Sequence, residues 1–275
     1  MLKKEICVNA LENKMLDLIL DLKENYQVCG LKAEFEDEGA AMDEVMRLKQ
    51  IGLYAGIDLT VKIGGCGAVK DLYDAKALGA GSIVAPMIES PYAVKKFINT
   101  SKAVFSKEEM ENIKFYINIE SQYGFQYIDE IFNSEYSKFI TGIVLGRTDL
   151  TGSLGMDKDD INNNIIFDYA QSLSLKTKKY DKELIIGGGI TDKSIDFIKR
   201  LSLNSTDKFE TRKIVFGIDS INFANISGGI AKAIEFELLW LKNKQNYYNI
   251  AKENDIMRLK SLENKYKLMV EKCYA

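Results

Sequence analysis

The chain has 275 residues, 46% of them hydrophobic and 28% charged. This is the composition of a folded globular protein, outside the low-hydrophobicity regime of disorder. The 37 basic and 40 acidic side chains leave a net charge of −3, which gives no electrostatic footprint for nucleic acid. Histidine is absent, which excludes Ser-His-Asp triads, histidine-ligated zinc and a histidine general base.

In chain order, residues 5–9 (EICVN) predict a first strand, and residues 11–26 an amphipathic helix. Short β-rich runs then recur at residues 30–39, 59–65, 82–87, 114–121, 140–150, 183–191 and 212–219. Between them lie stretches with helical spacing of apolar residues, at 40–52, 68–80, 91–98, 124–132 and 192–201. Strands alternating with helices indicate βα units and a parallel sheet. Eight such units predict an α/β fold of the (β/α)₈ TIM-barrel type. A doubly wound open sheet is the competitor, but no Gly-x-Gly-x-x-Gly opens the first helix.

The chain then runs on as a long helical segment. The division expected is a barrel over residues 1–228 and a C-terminal helical extension over 229–275, either an oligomerisation arm or a helical pair folding back. Its apolar stripe of Ile230, Ile234, Leu238 and Leu241 needs a covering surface. No apolar run is long enough to span a bilayer, and the N-terminus does not read as a secretory signal. Four scattered cysteines without a Cys-x-x-Cys pair read as free thiols of a cytoplasmic protein.

In a barrel of this kind the active site lies at the carboxyl ends of the strands. Those ends present Glu36, Asp37 and Glu38, then Lys62, Gly64 and Gly65, then Pro86, Met87 and Glu89. Next come Asn118 and Glu120, Arg147 and Asp149, Gly187 to Gly189, and Asp219. Charges within strands, as at Glu34 and Lys62, are costly to bury without partners. Glu120 and Asp149 end consecutive strands, and two carboxylates with open positions suit Mg²⁺ or Mn²⁺. Arg147 reads either as a bidentate clamp for a carboxylate or as a local ion pair. The turn GGGITDKS at 187–194 reads either as an anion cradle or as a packing device.

The stretches GSIVAPMIESPYAVKKF, INIES and GIVLGRTDLTGSLGM, in that order, resemble the HpcH/HpaI aldolase/citrate lyase family. VFGIDSINF is similar to that family's last strand, and LTVKIGGCGAVKDLYDAKALGA to its upstream strand and helix. The resemblance implies a homo-oligomeric metal-dependent lyase or aldolase that makes or breaks a carbon–carbon bond next to a pyruvate-like 2-oxo acid. An aldehyde or acyl compound would be the second partner, and a metal-stabilised enolate would carry the reaction. It further implies metal binding by Glu120 and Asp149, Asn118 beside the metal, and Thr148, Asp149 and Leu150 around the substrate carboxylate. The chain departs from the family in having Lys62 where an arginine is usual and Asp37-Glu38 where a Glu-His pair is usual. Glu38, Lys62 and Arg147 are therefore the expected catalytic residues, with Glu38 as a general base. The alternatives are a CoA-ester lyase or phosphoenolpyruvate-type enzyme on the same barrel, or an impaired barrel that serves as a binding or scaffold subunit.

Overall fold

The computed structural model describes residue 7, residues 9–202 and residues 206–274. The strand expected at residues 5–9 lies for the most part outside the described residues. The first described element is the helix α1 (Ala10–Tyr26), which Asn9 caps by accepting a hydrogen bond from the Glu12 N–H. The strand β1 (Val28–Glu34) follows, then α2 (Met42–Ala55), β2 (Asp58–Lys62), α3 (Val69–Ala77) and β3 (Ser82–Ala85). Ser90 and Pro91 start α4 (Pro91–Val104), with the serine side chain capping and the proline in the first turn. The chain continues through α5 (Lys107–Asn112), β4 (Lys114–Ile119), α6 (Gln122–Gln126), α7 (Ile128–Asn133), β5 (Gly142–Gly146) and α8 (Arg147–Ser153). It ends with α9 (Asn164–Lys179), β6 (Glu183–Gly187), α10 (Ile195–Ser202), β7 (Lys208–Glu210), β8 (Ile214–Gly217) and α11 (Ile226–Tyr274).

The eight strands close into a barrel in sequence order, as expected of the fold class. Strands β1 to β7 are parallel neighbours, whereas β8 runs antiparallel to both β7 and β1. The sequence reads residues 212–219 as one strand after a helix. The structure instead places a further short strand, β7, just before it and joins the two in a hairpin whose turn closes with the Thr211 N–H donating to the Ile214 carbonyl at 2.9 Å. Three residues between the strands are too few for a parallel crossover, which needs a dozen or more. This reversal turns the end of β8 toward the amino-terminal face, where the Gly217 N–H donates to the Gln27 carbonyl. Asp219 therefore follows β8 away from the other strand ends, and the hairpin tip joins them in its place.

The strands carry two cores. Outward-facing Phe115, Ile117, Ile143, Leu145, Leu184 and Ile186 belong to the main cluster under the helices, where Phe115 meets Phe97 and Phe105 edge to face. Inward-facing Val84, Tyr116, Val144 and Ile185 form a separate small cluster inside the barrel. Period-2 alternation on β4 explains the division: Tyr116 and Asn118 point in, while Phe115, Ile117 and Ile119 point out. The rest of the interior is filled by charged side chains, and these form the site.

The segment after the barrel is one continuous helix, α11, and not a helical pair folding back. Its length of about 70 Å follows from 1.5 Å per residue. Ile226, Ile230, Ala233, Phe236, Leu239 and Trp240 are buried, whereas Ile234, Leu238 and Leu241 of the expected stripe are exposed. The face that packs is thus rotated from the one expected, and only Ile230 belongs to both. No helix among the described residues is long and apolar enough to cross a membrane.

Candidate active site

A cavity of about 940 Å³ opens at the carboxyl ends of β1 to β7. Lys32, Glu34, Glu36 and Asp37 reach it from β1 and the loop that follows, and Lys62 from β2. Met87 follows β3, Asn118 and Glu120 come from β4, and Thr148 and Asp149 from the start of α8. Gly187 to Gly189 enter from β6, and Glu210, Thr211 and Arg212 from the β7–β8 hairpin. A second cavity of about 670 Å³ lies outside the barrel between α1, α2 and α11, and holds none of the expected site residues.

Glu120 is 2% exposed. One oxygen accepts from the Met87 N–H at 2.9 Å and the other from Asn118 Nδ2 at 2.7 Å. Met87 has φ 49°, a left-handed conformation uncommon for a non-glycine residue, and this strain sits where its N–H serves Glu120. Gly146 faces the same carboxylate: a Cβ there would lie 2.4 Å from Glu120 Oε2. Burial pushes the Glu120 carboxyl up from its ordinary value, and the charge of Asp149 adds to this against the pull of Lys62 and the two hydrogen bonds. Asn118 is buried and its Oδ1 has no hydrogen-bond partner.

Lys62 stands 2.6 Å from Glu36 Oε2 and 3.8 Å from Glu120 Oε2. Burial alone would lower its pKa, but Glu120, Glu36 and Glu34 together raise it. Lys32, deeper in the barrel, is shared between Glu34 at 3.0 Å and Glu210, and it too is raised against the pull of burial. Both lysines are therefore held as ammonium ions and act as fixed positive charges rather than as nucleophiles.

Three expected residues stand elsewhere. Glu38 does not line the cavity; it accepts from Lys213, whose ammonium lies 5.5 Å from the Trp240 ring centroid on the side facing α11. The loop after β1 turns Glu36 and Asp37 inward and Glu38 outward, and Arg212 holds Asp37 at 2.7 Å. Arg147 is fully buried behind the Gly187 to Gly189 turn and stays out of the cavity. Leu150 buries its side chain in the main core, so only its backbone remains for a ligand. Lys62, Asn118, Thr148, Asp149 and Glu120 do meet around one space.

Sequence reasoning did not single out Lys32, Glu210 or Arg212. A charge in the middle of an apolar strand was the available signal for Lys32, because a buried cation needs acids around it. Glu210 and Arg212 give no such signal, since the sequence reading has no strand at 208–210 and hence no hairpin to deliver them.

No cluster of three or more His, Cys, Asp or Glu side chains placed to hold a metal occurs among the described residues. Glu120 and Asp149 are a pair, which is compatible with an ion that keeps several waters or substrate oxygens. The residues fit a hard divalent cation: the Glu120 carboxyl is raised chiefly by its burial, with a further push from Asp149, and the Asn118 carbonyl beside it lacks a donor.

The family model described as HpcH/HpaI aldolase/citrate lyase matches residues 47–185. No curated protein matches the chain. Among solved structures, an HpcH/HpaI aldolase from Desulfitobacterium hafniense DCB-2 superimposes with a TM-score of 0.59 at 11% identity, over 72% of this chain and 82% of that one. An HpcH/HpaI aldolase/citrate lyase family protein from Burkholderia cenocepacia J2315 gives 0.58 at 13%, over 87% and 90%. The citrate synthase SbnG gives 0.57 at 17%, over 84% and 90%. At these identities the structures testify to the fold alone.

Proposed function

The chain belongs to the HpcH/HpaI aldolase/citrate lyase family, a family of aldolase and lyase enzymes, and from that premise we propose that it is a cytoplasmic, divalent-metal-dependent lyase or aldolase acting next to the keto group of a pyruvate-like 2-oxo acid. The observation that carries this reading is the imbalance at Glu120, a buried carboxylate pushed up by burial and Asp149 and set beside an unpartnered Asn118 oxygen. Mg²⁺ or Mn²⁺ held by Glu120 and Asp149 would supply Lewis-acid polarisation of the 2-oxo group.

The chain's own groups divide the remaining work. Backbone N–H groups of Thr148 to Leu150, in the first turn of α8, receive the substrate carboxylate. Gly188, at φ 82°, keeps this approach open, because a Cβ there would lie 2.6 Å from the Thr148 nitrogen. Lys62, clamped between Glu36 and Glu120, offsets negative charge developing on the substrate oxygens. Glu36 takes the duty expected of Glu38, because it faces the cavity and Glu38 does not. In the cleavage direction, Glu36 accepts the proton of the C4 hydroxyl of a 4-hydroxy-2-oxo acid. The C3–C4 bond breaks with its electrons moving toward the 2-oxo group, an aldehyde leaves, and the proton returns to C3 to give pyruvate.

The glycines at 188 and 189 are accounted for by the backbone, since both have positive φ (82° and 57°) and a Cβ at 188 would meet the Thr148 and Arg147 nitrogens at 2.6 and 2.7 Å. They give no separate support for a phosphorylated substrate. The exposed Ile234, Leu238 and Leu241 on α11 support association of this chain with copies of itself, to be read by light scattering.

The test is release of pyruvate from a panel of 4-hydroxy-2-oxo acids under Mg²⁺ and Mn²⁺, with Glu120→Ala as control. Metal-dependent release abolished by the substitution is the expected result. Release that survives it contradicts the metal role.

A further inference from the structure

Arg147 is the largest fully buried side chain of the molecule's described residues. Its five N–H groups find five oxygen contacts, none of them a carboxylate. Nε donates to the Gly187 carbonyl at 3.0 Å, and Nη2 to the Gly188 carbonyl at 2.6 Å and to Ser194 Oγ at 3.3 Å. Nη1 donates to Asn162 Oδ1 at 2.6 Å and to the Ile161 carbonyl at 3.4 Å. Ser194 in turn donates to the Gly189 carbonyl at 3.5 Å, so all three glycines of the turn are tied to one guanidinium. The cation also lies 4.8 Å from the Phe197 ring centroid.

This side chain starts α8 two residues before Asp149, and its backbone carbonyl accepts from Thr151 Oγ1 at 2.7 Å. One residue therefore joins the segment bearing Thr148 and Asp149 to the β6 turn, to the loop at 158–162 and to the start of α10. The planar fork suits this task, because its donors leave in fixed directions within one plane. A buried charge without an acid beside it is expensive. Such a group persists where the geometry it enforces is needed.

We propose that Arg147 is a positioning residue that sets Thr148 and Asp149 at a fixed distance from the Gly187 to Gly189 turn, and so holds one wall of the cavity in register with Glu120. The part of this inference that concerns metal affinity rests on the reading of Glu120 and Asp149 given above. The bracing itself is independent of it. Arg147 touches no substrate; it acts through the backbone of the two segments that do.

The experiment compares wild type, Arg147→Lys and Asn162→Ala by hydrogen exchange and by Mn²⁺ titration followed by electron paramagnetic resonance. Arg147→Lys keeps the charge and loses the fork. Asn162→Ala keeps the arginine and removes one partner from a half-exposed loop, so it stays folded if the lysine variant does not. The expected result is amide exchange at least about tenfold faster, confined to peptides covering residues 146–153 and 187–191. Mn²⁺ affinity falls about tenfold or more in Arg147→Lys, the range for a group that orients a ligand, and by a smaller factor in Asn162→Ala. Exchange unchanged in those peptides, or accelerated equally across the chain, overturns the proposal by reducing Arg147 to general stability. If wild type itself binds no Mn²⁺, the metal reading fails, and the exchange pattern still decides the role of Arg147.

Discussion

Tyr116 and Asn118 stand two residues apart on the inward face of β4, yet the carboxylates they serve are in opposite electrostatic situations. At the amino-terminal end, Glu183 accepts from the Tyr116 hydroxyl at 2.8 Å and from Lys208, with Lys114 at 3.4 Å. Burial alone would raise its pKa, but these partners outweigh it and hold the carboxyl below its ordinary range. At the other end, Glu120 has its own hydrogen bonds and a lysine, and is nevertheless raised. The first end is a partly exposed plug in which the carboxylate is answered by a hydroxyl and two ammonium groups of the chain. At the second end burial outweighs the partners of Glu120, and on the proposed function a divalent cation would offset that cost.

The largest effect that would break this contrast is at Glu120. Glu120→Gln keeps the shape and removes the charge. Mn²⁺ binding should fall below detection and turnover should drop by about 10²–10³-fold, as loss of several kcal/mol of Lewis-acid stabilisation implies. An affinity close to wild type by paramagnetic resonance would remove the basis for treating the two ends differently.

Next in size is Lys62→Met, which strands Glu36 and Glu120 without their shared cation. Loss of one partner of a fully buried pair costs about 3–5 kcal/mol, and the partial exposure of Glu36 reduces this to about 2–3 kcal/mol. Urea denaturation measures it, and added Mn²⁺ should restore part of the loss, because the ion answers the charge that the lysine no longer does.

At the plug, Glu183→Gln should destabilise by about 1–3 kcal/mol while leaving Mn²⁺ affinity unchanged. Its pH dependence has a definite sign. Because the folded carboxyl is depressed, its contribution is present above the ordinary glutamate pKa and lost as pH falls through the depressed value. The urea-midpoint difference between wild type and variant should therefore shrink from pH 7 toward pH 3. A difference that is constant with pH would mean that the ion pair is not what stabilises this end.

The smallest effect is expected from Tyr116→Phe. It removes one hydrogen bond to Glu183 and should cost about 1 kcal/mol, with Lys208 still in place.

The alternation of β4, LysPheTyrIleAsnIle, was readable in the sequence because a parallel barrel strand buries both faces and its period is two. The same periodicity placed Lys62, Asn118 and Glu120 at strand ends on the inside. The loop after β1 was not readable in this way. Asp37 and Glu38 are adjacent acids, and only the positions of Arg212 and Lys213 decide which one faces the cavity and which faces α11. Arg147 misled for a related reason: an arginine at a strand end looks the same whether its fork meets a substrate or the carbonyls of a neighbouring turn.

What the sequence determined by itself was the barrel and the strand ends at which Glu120 and Asp149 come to line one cavity. Both follow from local periodicity repeated along the chain, which needs no knowledge of partners distant in sequence, whereas the pairing of Glu120 with Asp149 at a metal was implied by the family resemblance alone. The reversal of β8, the outward turn of Glu38, the burial of Arg147 and the face on which α11 packs were decided by the tertiary structure. All four depend on contacts between residues far apart in the chain, where the energy of a buried charge or an apolar stripe is set by what the rest of the fold places beside it.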